Sequence, residues 1–157
     1  MADWLEEGSK VPSFTLADSD GKKIKSSQFA GAPLVIYFYP KDDTPGCTKQ
    51  ACAFRDASEP LRKVSAAVVG ISGDSSESHA KFTQKYELNF PLLADDGFKV
   101  AEKFGAYREK NMYGKKSMGI QRSTFLVDAK GVIVKVWRRV QVDGHDAQVL
   151  DALAALK

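Results

Sequence analysis

The sequence predicts an α/β domain built on a mixed central sheet flanked by helices, with an N-terminal β-hairpin. Three observations carry that expectation. Residues 34–39 (Leu-Val-Ile-Tyr-Phe-Tyr) and 66–72 (Ala-Ala-Val-Val-Gly-Ile-Ser) are almost wholly apolar and suit strands buried on both faces. Segments of helical character alternate with them. Near the C-terminus, residues 123–127 and 132–137 flank Asp128-Ala129-Lys130-Gly131, a hairpin turn signal, and an antiparallel pair there makes the sheet mixed. At 157 residues the chain reads as one domain, residues 1–157, able to bury a real core.

Each element has its own local signal. Residues 14–17 and 23–25 flank Asp18-Ser19-Asp20-Gly21 and read as a small hairpin. After the first apolar strand, Thr44 is a good N-cap and Pro45 falls at the first helical position, where its missing N–H costs nothing. A helix is expected from residue 45 to about residue 58, with Pro60 interrupting it or starting a second turn. Asp74 followed by Glu77 resembles a capping box for a helix reaching about residue 86. Residues 90–94 read as a short strand whose Pro91 argues for an edge or a bulge. Residues 98–104 read as a short helix ended by Gly105. Residues 108–119, polar and with two glycines, read as a loop, and a helix over about residues 146–156 closes the chain.

Composition narrows the function classes. Hydrophobic residues at 43% and charged residues at 27% are typical of a globular protein and exclude a disordered chain. The net charge of +3 arises from interleaved acids and bases, with no basic cluster among aromatics, so no nucleic-acid partner is expected. Trp137-Arg138-Arg139, the densest basic spot, reads as a solvated strand end. No run of 18 apolar residues exists, so no membrane span is expected. The first seven residues lack the regions of a secretory leader, and two cysteines without a disulfide framework fit a reducing compartment. A cytoplasmic location is expected, with an organellar protein shown without its transit peptide left open.

The chemistry points to the cysteines. Cys47 and Cys52 are the only two, and Thr44-Pro45-Gly46 places Cys47 as the third residue of a helix. Free N–H groups and the positive end of the helix dipole favour a thiolate there. Full ionisation gains only roughly 30-fold at neutral pH. Fast chemistry also needs donors aimed at the charge developing in the transition state. A zinc site would need four ligands, and His79 and His145, the only histidines, stand at no ligand spacing. Nor is the pair a C-x-x-C. From the residues alone, Arg122 reads as a surface arginine and Pro40 as a strand terminator.

The run Pro40-Lys41-Asp42-Asp43-Thr44-Pro45-Gly46-Cys47 resembles the P-x-x-x-T-x-x-C active-site loop of the peroxiredoxins. Its continuation, Thr48-Lys49-Gln50-Ala51-Cys52, resembles the Q-type subgroup, also called bacterioferritin comigratory protein. The resemblance extends along nearly the whole chain, through Tyr37-Phe38-Tyr39-Pro40, Val69-Gly70-Ile71-Ser72 and the segment 119–128. It implies a thioredoxin-like fold and a thiol peroxidase using no metal, haem or flavin. By that resemblance Cys47 attacks the peroxide and becomes a sulfenic acid, and Cys52 resolves it as an intramolecular disulfide. Thr44 hydrogen-bonds the peroxide, Pro40 shields the site from water, and Arg122 holds the thiolate and the peroxide oxygens.

The resemblance also implies recycling by thioredoxin or a glutaredoxin-like dithiol protein. A monomer is expected, because both cysteines lie in one segment. Lys41, Gln50 and Arg55 are neighbours to which no role is given. A general disulfide oxidoreductase and a non-enzymatic redox sensor remain as alternatives. If Cys47 and Cys52 pair, helix geometry demands movement. Five helical residues separate Cα atoms by roughly 8–9 Å with side chains on different sides, and a disulfide needs about 7 Å or less.

Overall fold

A computed structural model describes residues 3–156. The elements run β1 (Thr15–Ala17), β2 (Lys23–Lys25), β3 (Leu34–Phe38), α1 (Pro45–Asp56), α2 (Ser58–Lys63), β4 (Ala67–Ser72), α3 (Ser76–Tyr86), β5 (Leu92–Ala94), α4 (Lys99–Phe104), β6 (Tyr107–Met112), β7 (Lys115–Ile120), β8 (Ser123–Val127), β9 (Ile133–Trp137) and α5 (His145–Ala154). Seven strands form one mixed sheet in the order β2-β1-β5-β4-β3-β8-β9. Strand β3 lies inside it, parallel to β4 and antiparallel to β8.

Alternation along β3 explains its unbroken apolar run. Leu34, Ile36 and Phe38 face one side, where Val69, Ile71, Leu93 and Phe125 join Phe104 of α4. Val35, Tyr37 and Tyr39 face the other, against Ala51 and Phe54 of α1, Phe82 of α3 and Val149 and Leu153 of α5. Each such large side chain, once buried, contributes roughly 1.5–3 kcal/mol. With both faces covered, no position on β3 tolerates a polar side chain at low cost. The antiparallel register sets Phe38 opposite Ser123. The start of β8 therefore lies beside the end of β3, where the chain turns into α1.

Most expected elements are present, and three differ. Residues 108–119 are not a loop: β6 and β7 pair as a separate antiparallel hairpin, turning at Tyr113 (φ 54°) and Gly114 (φ 80°). It lacks an apolar alternation because most of its side chains face solvent. Strand β5 is no edge, for it pairs with β4 on one side and β1 on the other. Pro91 stands just before it and offers only its carbonyl, to Gly70 N–H at 3.1 Å. The cap of α3 is Ser75, whose hydroxyl oxygen accepts from Ser78 N–H at 3.1 Å. Asp74 instead accepts from Asp42 N–H and the Ser72 hydroxyl. Pro60 falls within α2, the second turn.

His145 opens α5 and carries a pH prediction. It is buried, with Nδ1 3.0 Å from the Gln148 side-chain oxygen and Nε2 2.8 Å from the Thr124 hydroxyl. The Gln148 oxygen only accepts, so Nδ1 donates and Nε2 receives the hydroxyl proton. Burial pushes its pKa below the ordinary histidine value, with Gln148 and Asp146 opposing. The unfolded chain then takes up this proton first as pH falls. The contribution of His145 to stability is present above about pH 6.5 and is lost below it. The melting temperature is expected to fall between about pH 7.5 and about pH 5.5, and less steeply in His145→Gln.

Candidate active site

Helix α1 starts as its sequence dictates. Thr44 sits at the N-cap in an extended conformation (φ −96°, ψ 155°), with Pro45 in the first turn. Its side chain makes no cap bond; the hydroxyl donates to the Lys41 carbonyl at 2.9 Å. The expected capping bond is absent: the hydroxyl is turned back toward the Lys41 carbonyl, and its oxygen accepts from no first-turn amide. The Thr44 side chain therefore occupies none of the first-turn amides.

Cys47 is buried, and its Sγ lies 3.2 Å from Nη2 of Arg122, 75 residues away in sequence. Arg122 stands between β7 and β8, delivered by the β3–β8 register. Its Nη1 donates to the Gln50 side-chain oxygen at 2.7 Å. Gln50 is buried, three residues beyond Cys47 on the same face of α1. That i,i+3 spacing is the sequence signal for the contact. The planar guanidinium is thus held at two points of its fork, an arrangement a lysine cannot copy. Gly46 leaves the room: a Cβ there would stand 3.2 Å from Nη2.

The surroundings are charged on one side and dry on the other. Lys110 of β6 reaches over Gly119 and is half-buried. Burial lowers the pKa of its ammonium, the charge of Arg122 lowers it further, and Cys47 opposes them. No sequence signal marks Lys110, since the hairpin that carries it reads as a loop. Beneath the helix, burial above all pushes the Tyr37 phenol well above its ordinary pKa, with negative charge at Cys47 adding. That phenol therefore stays neutral.

The remaining expected residues are dispersed. Cys52 is half-buried, on the same unbroken helix as Cys47, and both are free thiols. Pro40 is exposed, directly after the buried Tyr39. Arg55 binds the Tyr86 carbonyl at 2.6 Å and Asp56 at 2.9 Å, not Cys47. Asp42, Asp74 and His79 bring potential ligand atoms within 4.8 Å of one another. Those atoms are engaged by hydrogen bonds within the chain. No helix among the described residues is long and apolar enough to cross a membrane.

A thioredoxin-like sheet carrying a helix-borne thiol against a guanidinium defines the class of thiol-dependent redox enzymes. Comparison with known proteins narrows it. The AhpC/TSA family model matches residues 8–136. Peroxiredoxin Bcp of Bacillus subtilis is 46% identical over 149 residues, covering 95% of each chain. The chloroplastic Peroxiredoxin Q of Sedum lineare is 47% identical, covering 98% of this chain and 80% of its own. A structure of the Xanthomonas campestris Bacterioferritin Comigratory Protein, studied for alkyl peroxide reduction, superposes with a TM-score of 0.87 at 43% identity and 90% coverage of each chain. The chain belongs to the AhpC/TSA family, as a peroxiredoxin of the Q, or Bcp, type, and it is a peroxidase.

Proposed function

We propose that the chain reduces hydrogen peroxide and organic hydroperoxides through Cys47 and Cys52. The Cys47 thiolate attacks the outer oxygen of ROOH, the O–O bond breaks, and ROH leaves after taking a proton. Cys47 is then a sulfenic acid. The Cys52 thiol condenses with it, releasing water and leaving a Cys47–Cys52 disulfide, which thioredoxin or a similar dithiol protein reduces. The carrying observation is the Arg122 guanidinium 3.2 Å from Cys47 Sγ. Fixed donors of that kind stabilise the charge growing on the departing oxygen without a proton of matched acidity. Thr44 orients the peroxide and Pro40 limits water around the loop. Alkyl peroxide reduction by the Xanthomonas relative supports an organic substrate. Both cysteines in one helix support a monomer, and a chain with two cysteines and no disulfide framework supports a reducing compartment such as the cytoplasm.

Stopped-flow oxidation of the reduced protein, followed by mass measurement, tests this. One equivalent of peroxide should be consumed and two hydrogens lost per chain. Because the helix cannot host the bond, amide exchange over residues 44–56 should rise on oxidation. A protein inert to peroxide that reduced protein disulfides directly would belong to the other reading.

A further inference from the structure

The loop between β3 and α1 is fastened to one helix at two places. Asp42 is buried, and three side chains converge on its carboxylate. The Tyr39 hydroxyl donates to Oδ1 at 2.6 Å, and the Ser78 hydroxyl donates to Oδ2 at 2.8 Å. The third is Nδ1 of His79, at 2.7 Å from Oδ2. His79 is fully buried, and its Nε2 lies 3.0 Å from the Leu93 carbonyl. A carbonyl only accepts, so Nε2 carries a proton. Another proton lies between Nδ1 and the carboxylate, since two lone pairs 2.7 Å apart would repel. The pair is therefore neutral as a whole, which suits its burial. Burial above all pushes the Tyr39 phenol well above its ordinary pKa, so it remains a donor.

The second fastening is at the other end of α3. Asp43, in a left-handed conformation (φ 55°), accepts from Lys85 at 2.8 Å and from the Tyr86 hydroxyl at 2.7 Å. Helix α3 thus grips two consecutive residues of the loop just ahead of Thr44-Pro45, and Asp42 lies five residues ahead of Cys47. The grip is tied to the folded start of α1, in which Cys47 faces Arg122. Disulfide formation requires that start to unwind.

We propose that Asp42 and His79 are positioning residues: their pair pins the loop to α3 and sets the balance between the folded, peroxide-reactive helix start and the unwound form that closes the disulfide. This rests on the two-cysteine cycle proposed above. Loosening the grip favours the unwound form, so the two chemical steps should respond in opposite directions. A residue serving general stability alone would not split them.

The test uses Asp42→Ala, His79→Leu and Ser78→Ala, with Asp42→Asn as the conservative variant. The side-chain amide introduced by Asp42→Asn can still donate to a neutral His79 and accept from Tyr39. In rapid-mixing experiments on full-length reduced protein, Asp42→Ala and His79→Leu should oxidise about tenfold more slowly, and the sulfenic acid should close to the disulfide faster than in wild type. Moving the balance of the reduced protein from about ten to one folded to about one to ten lowers the folded fraction about tenfold and makes the potential of the cysteine couple about 30 mV more negative, measured against a dithiol buffer. Ser78→Ala should give smaller changes of the same signs, and Asp42→Asn should recover most of the wild-type rates. Ser78→Ala and Asp42→Asn, which disturb packing least, decide the matter if the larger variants do not fold. Equal slowing of both steps, or unaltered rates and potential, overturns the proposal. A wild-type protein that forms no disulfide with peroxide overturns the cycle itself.

Discussion

Cys47→Ser is expected to end peroxide consumption altogether. The serine hydroxyl does not ionise at neutral pH, and among the described residues no other thiol stands against Arg122. Cys52 lies five helical residues on, about 140° around the axis, and cannot reach the same guanidinium without unwinding α1. The exchange of sulfur for oxygen is nearly isosteric, so the fold and its melting temperature should change little while the peroxide reaction vanishes. Mass measurement after excess peroxide should show no added oxygen at residue 47. Cys52→Ser should behave differently: one rapid oxidation, a trappable sulfenic acid on Cys47, and slow turnover with thioredoxin. If Cys52→Ser lost the first oxidation and Cys47→Ser retained it, the roles would be exchanged.

Arg122→Ala should lower the second-order rate of peroxide reduction by about 10²–10³-fold, the usual cost of removing one fixed transition-state donor. Two losses combine. The sulfur no longer has a cation at 3.2 Å, and the buried Gln50 oxygen loses the donor it faces at 2.7 Å. An unsatisfied buried acceptor costs about 1–3 kcal/mol, so Gln50 should also turn from its present orientation. Arg122→Lys keeps the charge but cannot serve Cys47 and Gln50 at once, and its rate should fall between the two. The check is stopped-flow kinetics with single-turnover protein, which excludes the reductant from the measurement. A rate equal to wild type in Arg122→Ala would remove this residue from the chemistry.

What can be read from the sequence is local. The apolar runs of β3 and β4, the Thr44-Pro45 helix start and the hairpin around Asp128 each carry their signal within a few residues. The β6–β7 hairpin is illegible because its side chains are mostly exposed on both faces, leaving no alternation to detect. Pro91 points to an edge because its ring excludes a donor from a strand interior, yet it stands one residue outside the strand. Thr44 has the residue type of a cap, and nothing local shows that the Lys41 carbonyl takes its proton. The site itself lies beyond local reading. Cys47 and Arg122 are joined across 75 residues and Asp42 and His79 across 37, and only family resemblance singles out Arg122.

The antiparallel pairing of β3 with β8 has a consequence for how the enzyme comes into being. Cys47 is synthesised well before Arg122, and the two meet only when β8 closes against β3. Pairings of such sequence separation form late, after the loop-closure entropy between them has been met. A chain still emerging from the ribosome therefore carries its sulfur without its guanidinium, and meets cellular oxidants as a slow thiol. On the roles proposed for Cys47 and Arg122, full reactivity arrives only with the completed sheet.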